Sequence, residues 1–179
     1  MSHNEKTLKS EYFFKGYVIK LRKDNVLLEN NTEATREVVE HPGGVAVLPL
    51  TDDNEVIFVK QFRYPYMKEI LELPAGKLDG KGEDPFLCGK RELKEEVGAT
   101  SDNYTPLGML YPSPGFCDEI IHLYLAQDLS YGSQNLDEDE FLDVIKIPFD
   151  KAYEMVINNE IEDAKTQIAI LKAKHILEK

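Results

Sequence analysis

The 179-residue sequence predicts an α+β chain, in which a small antiparallel β-sheet at the N-terminus precedes an α/β layer sandwich. Three observations lead there. Short strand-like runs separated by polar turns fill residues 10–40. From residue 41 onward, strand-like and helix-like runs follow one another in mixed order. Two helical patterns close the chain at 149–158 and 163–177.

Residues 12–20, Tyr-Phe-Phe-Lys-Gly-Tyr-Val-Ile-Lys, read as the first strand. Val26–Glu29 reads as the second and Thr35–Glu40 as the third, with Asn30-Asn31 as a turn between them. A unit of three short strands buries little surface alone. It needs a partner surface, either the rest of its own chain or another subunit, and a boundary at residue 40 separates 1–40 from 41–179. After His41-Pro42-Gly43-Gly44, Val45–Pro49 and Glu55–Gln61 read as a strand pair around the turn Thr51-Asp52-Asp53-Asn54. Ile70–Leu73 is a strand that leads into the loop Leu73-Pro74-Ala75-Gly76. Asp84 and Pro85 then start a helix, since Asp suits the N-cap and Pro the first helical position. Gly98 suits the left-handed residue that ends it. Leu93 and Val97 supply its apolar stripe, joined near the start by Phe86 and Cys88. Residues 104–111, 119–126 and 141–147 are further strands. The last helix carries Ala164, Ile168, Leu171 and His175 on one stripe.

Composition narrows the function classes. At 42% hydrophobic and 30% charged residues the chain is of ordinary soluble, globular make-up. A net charge of −12 argues against nucleic-acid or anionic-membrane binding driven by bulk charge. An anionic substrate must therefore be handled locally, by a metal and a few Arg or Lys side chains. No apolar run approaches the ~20 residues of a membrane helix. The N-terminal Met-Ser-His-Asn-Glu-Lys lacks the apolar core of a secretory signal. Cys88 and Cys117 lie too far apart for a zinc knuckle and read as two reduced thiols of a cytoplasmic protein. The four histidines show no metal-ligand spacing.

The chemistry is concentrated in one segment. Glu92, Glu95 and Glu96 sit at i, i+3 and i+4, which on a helix is one face with Cβ atoms roughly 5–6 Å apart. Like charges that close weaken a bare helix, and a divalent cation among them reverses the sign. Carboxylate oxygens suit Mg²⁺ or Mn²⁺, which commonly bridge a few acids and a substrate phosphate. An acidic run on a helix is usually only a solvated face. Here, however, Glu83, seven residues, then Arg91-Glu92-Leu93-x-Glu95-Glu96-x-Gly98 forms a longer fixed pattern.

That pattern, with Gly76 before it, resembles the Nudix box, the signature of hydrolases that cut nucleoside diphosphates linked to another moiety. Two departures are visible. Six residues rather than five separate Gly76 from Glu83, and the closing aliphatic position is Ala99. The extra residue falls in the Gly-rich stretch Asp79-Gly80-Lys81-Gly82, where added length costs little. The resemblance implies the Nudix fold, an α/β/α sandwich with a mixed β-sheet. Four further segments are similar to ADP-ribose pyrophosphatases of that superfamily: Arg36–Val45, Lys60–Pro65, Glu72–Gly76 and Ser113–Glu119. The likeness extends to the N-terminal sheet and to Ile161–Thr166.

The resemblance implies roles. Glu92 and Glu96 are the main metal carboxylates, Glu95 assists, and the Ala75 carbonyl is a further ligand, with Mg²⁺ as the cofactor and Mn²⁺ possible. Arg91 orients the acids. Arg36 and Arg63 hold the diphosphate or terminal ribose, as a planar guanidinium fork suits phosphate oxygens. Glu119 and Leu78 lie near the substrate. The general base is a glutamate in Leu136–Glu140, Glu138 first and Glu140 as the alternative. Tyr12, Phe13, Phe14 and Tyr17 are candidates to stack on adenine. The implied reaction splits ADP-ribose into AMP and ribose 5-phosphate, and the implied assembly is a homodimer with exchanged N-terminal sheets. Another nucleoside diphosphate sugar such as GDP-mannose, or a non-catalytic sensor on the same fold, stays open as an alternative.

Overall fold

The computed structural model describes residues 3–80, 82–136 and 140–178. The first three strands are β1 (Lys6–Lys15), β2 (Lys20–Leu27) and β3 (Glu33–Glu40), an antiparallel sheet in sequence order. β1 starts and ends earlier than its aromatic run suggests, because a turn closed by Gly16 N–H donating to Ile19 O intervenes. β2 occupies Lys20–Leu27 rather than 26–29. Its charged Lys20-Leu-Arg-Lys-Asp start lacks apolar alternation, so the strand was invisible to a hydrophobic pattern.

The body begins with β4 (Gly44–Pro49) and β5 (Glu55–Arg63), then a 3-10 turn at Tyr64–Tyr66, β6 (Lys68–Glu72), β7 (Ala75–Lys77) and α1 (Pro85–Val97). It continues through β8 (Ala99–Thr100), β9 (Asn103–Leu110), β10 (Ile121–Gln127), β11 (Ser130–Tyr131) and β12 (Leu142–Pro148). α2 (Phe149–Ile157) and α3 (Ala164–Leu177) close it. One sheet runs β7-β4-β10-β9 and is mixed, since β10 lies parallel to β4. A second runs β12-β5-β6 and is antiparallel.

β4 and β5 are therefore not the hairpin their sequence suggests. β4 spends its two edges on β7 and β10, and β5 spends its own on β12 and β6. A Leu50–Val56 bridge joins them just past the end of β4. The continuous apolar run of β4 is what a strand covered on both faces requires. Val45 and Val47 face Cys88 and Leu93 of α1, whereas Ala46 and Leu48 share a core with Ala169, Ile170 and Ala173 of α3. This makes the α/β/α sandwich.

The stripe of α3 also differs from its prediction. Thr166, Ala169, Ile170 and Ala173 are buried, while Leu171 and His175 are exposed. Those four also obey the i, i+3, i+4, i+7 rule. Small side chains let the helix approach the sheet closely, and weighting by large apolar residues selects the wrong face.

Candidate active site

α1 carries the acids, and its ends are fixed as the sequence indicates. The Asp84 carboxylate accepts from Phe86 N–H at 2.8 Å, and Gly98 ends the helix with φ 69°, the cap being worth about 1 kcal/mol. Gly89 brings the helix down on β4, since a Cβ there would lie 3.1 Å from Val45 Cγ2 and 3.2 Å from Val47 Cγ2. The acids on the same side are drawn inward with it. Glu92 and Glu96 are buried, with 9% and 2% exposure.

Two contacts seat these carboxylates on β7. A Cβ at Gly76 would fall 1.9 Å from Glu92 Cδ, so a side chain there would push this carboxylate from its seat. Ala75 N–H donates to Glu96 Oε2 at 2.9 Å. Arg91 gathers the rest. Its Nη1 lies 2.7 Å from Glu92 Oε1 and 3.0 Å from Glu95 Oε2, and its Nη2 lies 3.6 Å from Glu83 Oε1. Glu83 in turn accepts from Asp79 N–H at 2.6 Å, which closes the lengthened loop before the helix.

The electrostatics follow from burial. Loss of solvent pushes the Glu92 carboxyl up to about 7, with Arg91 opposing and Glu95 and Glu140 adding to the rise. It pushes Glu96 up to about 9 against the Ala75 amide, with Glu140 and Glu92 contributing. Glu140 therefore reaches this cluster, where Gln61 Nε2 also donates to it at 3.5 Å. Burial likewise pushes the Cys88 thiol up to about 12, which makes it an inert core sulfur. A single guanidinium shared among Glu83, Glu92 and Glu95 leaves the group short of positive charge. A hard-oxygen donor set with excess negative charge fits Mg²⁺. Among the described residues no three His, Cys, Asp or Glu side chains are arranged as a finished metal group; the acids turn to Arg91 and the Ala75 amide.

Beside them lies a cavity of about 200 Å³ lined by His41, Arg63, Ala75, Gly76, Glu119 and Lys165, among others. Arg63 Nε and Nη2 grip both oxygens of Glu72, at 2.6 and 2.8 Å. Lys165 Nζ bonds the same carboxylate and Asp163 Oδ1. Burial works to raise the Glu72 carboxyl, but Arg63 and Lys165 together hold it below its ordinary value. Across the cavity, His41 Nδ1 accepts from Gly43 N–H at 3.1 Å and lies 3.4 Å from Glu119 Oε1. The loop bearing Glu119 is pinned to β3, as Val39 N–H donates to Phe116 O and Asp118 N–H to Val39 O.

The NUDIX domain model matches residues 40–168, most of the chain. The chain belongs to the Nudix family. As a Nudix hydrolase it is 47% identical to the ADP-ribose pyrophosphatase of Bacillus subtilis (strain 168), over 94% of this chain and 92% of that protein. It is also 47% identical to the methanol dehydrogenase activator of Bacillus methanolicus, over 93% and 90%. Similarity to the GDP-mannose pyrophosphatase of Escherichia coli (strain K12) is 30%, over 88% and 85%. A crystal structure of an ADP compounds hydrolase superposes with a TM-score of 0.86 at 22% identity, covering 99% of this chain and 97% of that one, and shows the same fold.

In this Nudix chain the structure brings Glu92, Glu95, Glu96, Ala75, Arg63, Glu119 and Glu140 to one region. Glu138 lies outside the described residues. Arg36 is elsewhere on β3, its Nε and Nη2 on Glu5 at 2.9 and 2.5 Å, bordering an apolar depression with Tyr111 and Phe116. Leu78 corrects its expectation. Its side chain is buried with Val45 and Cys88, because the loop after β7 tucks under α1, and it packs in the core there. Sequence reasoning gave no role to His41, Glu72 or Lys165. Their partners stand up to 93 residues away, and no local pattern announces such a pairing.

Proposed function

We propose that the protein is a Mg²⁺-dependent pyrophosphatase that cuts the diphosphate of ADP-ribose to AMP and ribose 5-phosphate. One observation carries the reading. The buried acids Glu92 and Glu96 abut Ala75 and Gly76, which line the same cavity as Arg63 and Glu119. The 47% identity to an ADP-ribose pyrophosphatase supports the choice of substrate. Glu92, Glu96 and the Ala75 carbonyl would hold the metal, with Glu95 beside them. Bound Mg²⁺ supplies charge neutralisation on the diphosphate and a more acidic water. Arg63 keeps hydrogens free beyond its grip on Glu72 and binds diphosphate oxygens. Glu119 orients a ribose hydroxyl. A glutamate of the 136–140 segment accepts the proton of the attacking water, and the nearness of Glu140 to Glu96 supports that residue beside Glu138.

The same reading divides the chain at residue 40 and makes it a homodimer in a reducing, cytoplasmic setting, with Cys88 and Cys117 both free thiols. Residues 1–40 would cover a second subunit and complete its site. Phe13, Phe14 and Tyr17 are exposed at 60%, 54% and 95%, and so are available to a partner or an adenine. Arg36 beside Tyr111 and Phe116 offers a charged rim to an apolar seat for the base or ribose.

The test is a substrate panel with Mg²⁺. ADP-ribose is expected to show a higher kcat/KM than GDP-mannose, NADH or dinucleoside polyphosphates, with AMP as product. A clear preference for GDP-mannose would move the protein to that class. The equal likeness to a methanol dehydrogenase activator favours a second reading, in which the hydrolase also serves an alcohol dehydrogenase. An unchanged dehydrogenase rate on adding the protein would dismiss it.

A further inference from the structure

We infer that Lys165, at the start of α3, is a positioning residue for diphosphate binding. It acts through Glu72, keeping that acid from cancelling the charge of Arg63 and holding Arg63 at the cavity wall. The inference rests on the diphosphate reading above and adds a residue from the far end of the chain.

Glu72 is only 3% exposed, at the end of β6, directly before the Leu73–Gly76 segment that seats the acids. Arg63 grips both of its oxygens. A one-to-one pair of this kind is neutral and leaves Arg63 little net charge to offer a diphosphate. Lys165 supplies the second cation on the same carboxylate, and its side chain lines the cavity beside Arg63. Asp163 sets the position of Lys165. One of its oxygens accepts from Lys165 at 3.0 Å, and the other caps α3 by accepting from Thr166 N–H at 2.9 Å. The Asp163 charge is thus partly spent on the positive end of the helix.

Thr166 completes the bracket. Its hydroxyl accepts from Leu73 N–H at 2.9 Å and donates to Asp163 Oδ2 at 2.6 Å. Two residues after Leu73, Ala75 N–H donates to Glu96. The first turn of α3 therefore holds Glu72 and Leu73, directly before the Ala75 amide that seats Glu96 of α1. Removing the Lys165 charge would leave Glu72 and Asp163 facing Arg63 alone, a wall of net negative charge toward an anionic substrate.

The experiment compares wild type, Lys165→Met and Lys165→Arg. It measures inorganic pyrophosphate binding by calorimetry with Mg²⁺, ADP-ribose kinetics and thermal melts. Lys165→Met should bind pyrophosphate about tenfold more weakly and raise KM about tenfold, with kcat within about threefold, because uniform binding is lost rather than transition-state contact. Lys165→Arg keeps the charge and should stay within about threefold of wild type. If Lys165→Met folds poorly, Lys165→Gln keeps a donor to Glu72 without the charge and carries the same expectation. Pyrophosphate binding at the wild-type level in a folded, uncharged variant overturns the inference. So does an Arg variant as impaired as the Met one, or a wild type that binds no pyrophosphate. A wild type that binds pyrophosphate yet ignores ADP-ribose overturns the substrate reading and leaves this one standing.

Discussion

Every residue of β1 is exposed, whereas every residue of β4 is buried, although both are rich in apolar side chains. β4 has strands on both edges and a helix on each face, all supplied by its own chain. β1 has β2 on one edge, and its Tyr12, Phe13 and Phe14 are 42–60% open to solvent. The charges divide the same way. Residues 1–27 hold six Lys or Arg against three Asp or Glu, while the whole chain holds 21 against 33. The body packs its apolar core with elements of its own chain. The first sheet leaves its aromatic side chains open to solvent. Both strands carry apolar side chains, but β1 sets its own among Lys and Glu while β4 holds no charged residue, so composition and neighbours together separate a covered strand from an open one.

The sharpest break on the body side is at the acids. Glu92→Gln and Glu96→Gln should each lower Mg²⁺-dependent turnover by about 10²–10³-fold or more, since a charged ligand beside a phosphate has little replacement. Near-normal rates in both variants would remove the acid helix as the reactive centre. Gly76→Ala comes next. The added Cβ meets Glu92 at 1.9 Å, and a shift near 1 Å at a reacting centre costs on the order of 10²-fold. Activity within twofold of wild type would mean that the seat of Glu92 is looser than drawn.

The sheet side is tested by assembly. Light scattering should give a mass near twice 20.4 kDa. Phe14→Glu should weaken association by about 30-fold, the effect of losing a buried aromatic anchor. A fully active monomer at micromolar concentration would leave the exposed face of β1 unexplained. A smaller effect lies in the bracket between α3 and the acid segment. Thr166→Val leaves the Leu73 amide buried and unpaired, and should cost about 1–3 kcal/mol in a denaturant melt. An unchanged midpoint would show that the bond from Leu73 contributes little.

The remaining test is a pH slope. Glu96 and Glu92 hold protons up to about 9 and 7 in the fold, against an ordinary value of 4.5. The native state thus binds more protons than the unfolded chain through that window. The contribution of these two acids to metal-free stability is full below about pH 4.5 and is lost as pH rises toward 9. Mg²⁺ binding takes the ionised form, so its stabilisation should grow over the same window. Melts of wild type and Glu96→Gln in EDTA and in Mg²⁺ from pH 5 to 9 check this. A difference between the two proteins that stays flat with pH in EDTA would contradict it.

What the sequence by itself determined was local. Asp84, Pro85 and Gly98 bound α1 because caps and left-handed turns depend on a few adjacent residues. The spacing of Glu92, Glu95 and Glu96 put three acids on one side of α1 because one helix face is set by its period alone. Tertiary structure decided the rest. It separated β4 from β5, as edge pairing depends on strands elsewhere in the chain. It put Leu78 in the core and chose the Ala-rich face of α3, as burial depends on what packs opposite. It joined Glu72 to Lys165 across 93 residues. A buried charge needs a partner in space, and nothing in the order of residues along the chain says where that partner will come from.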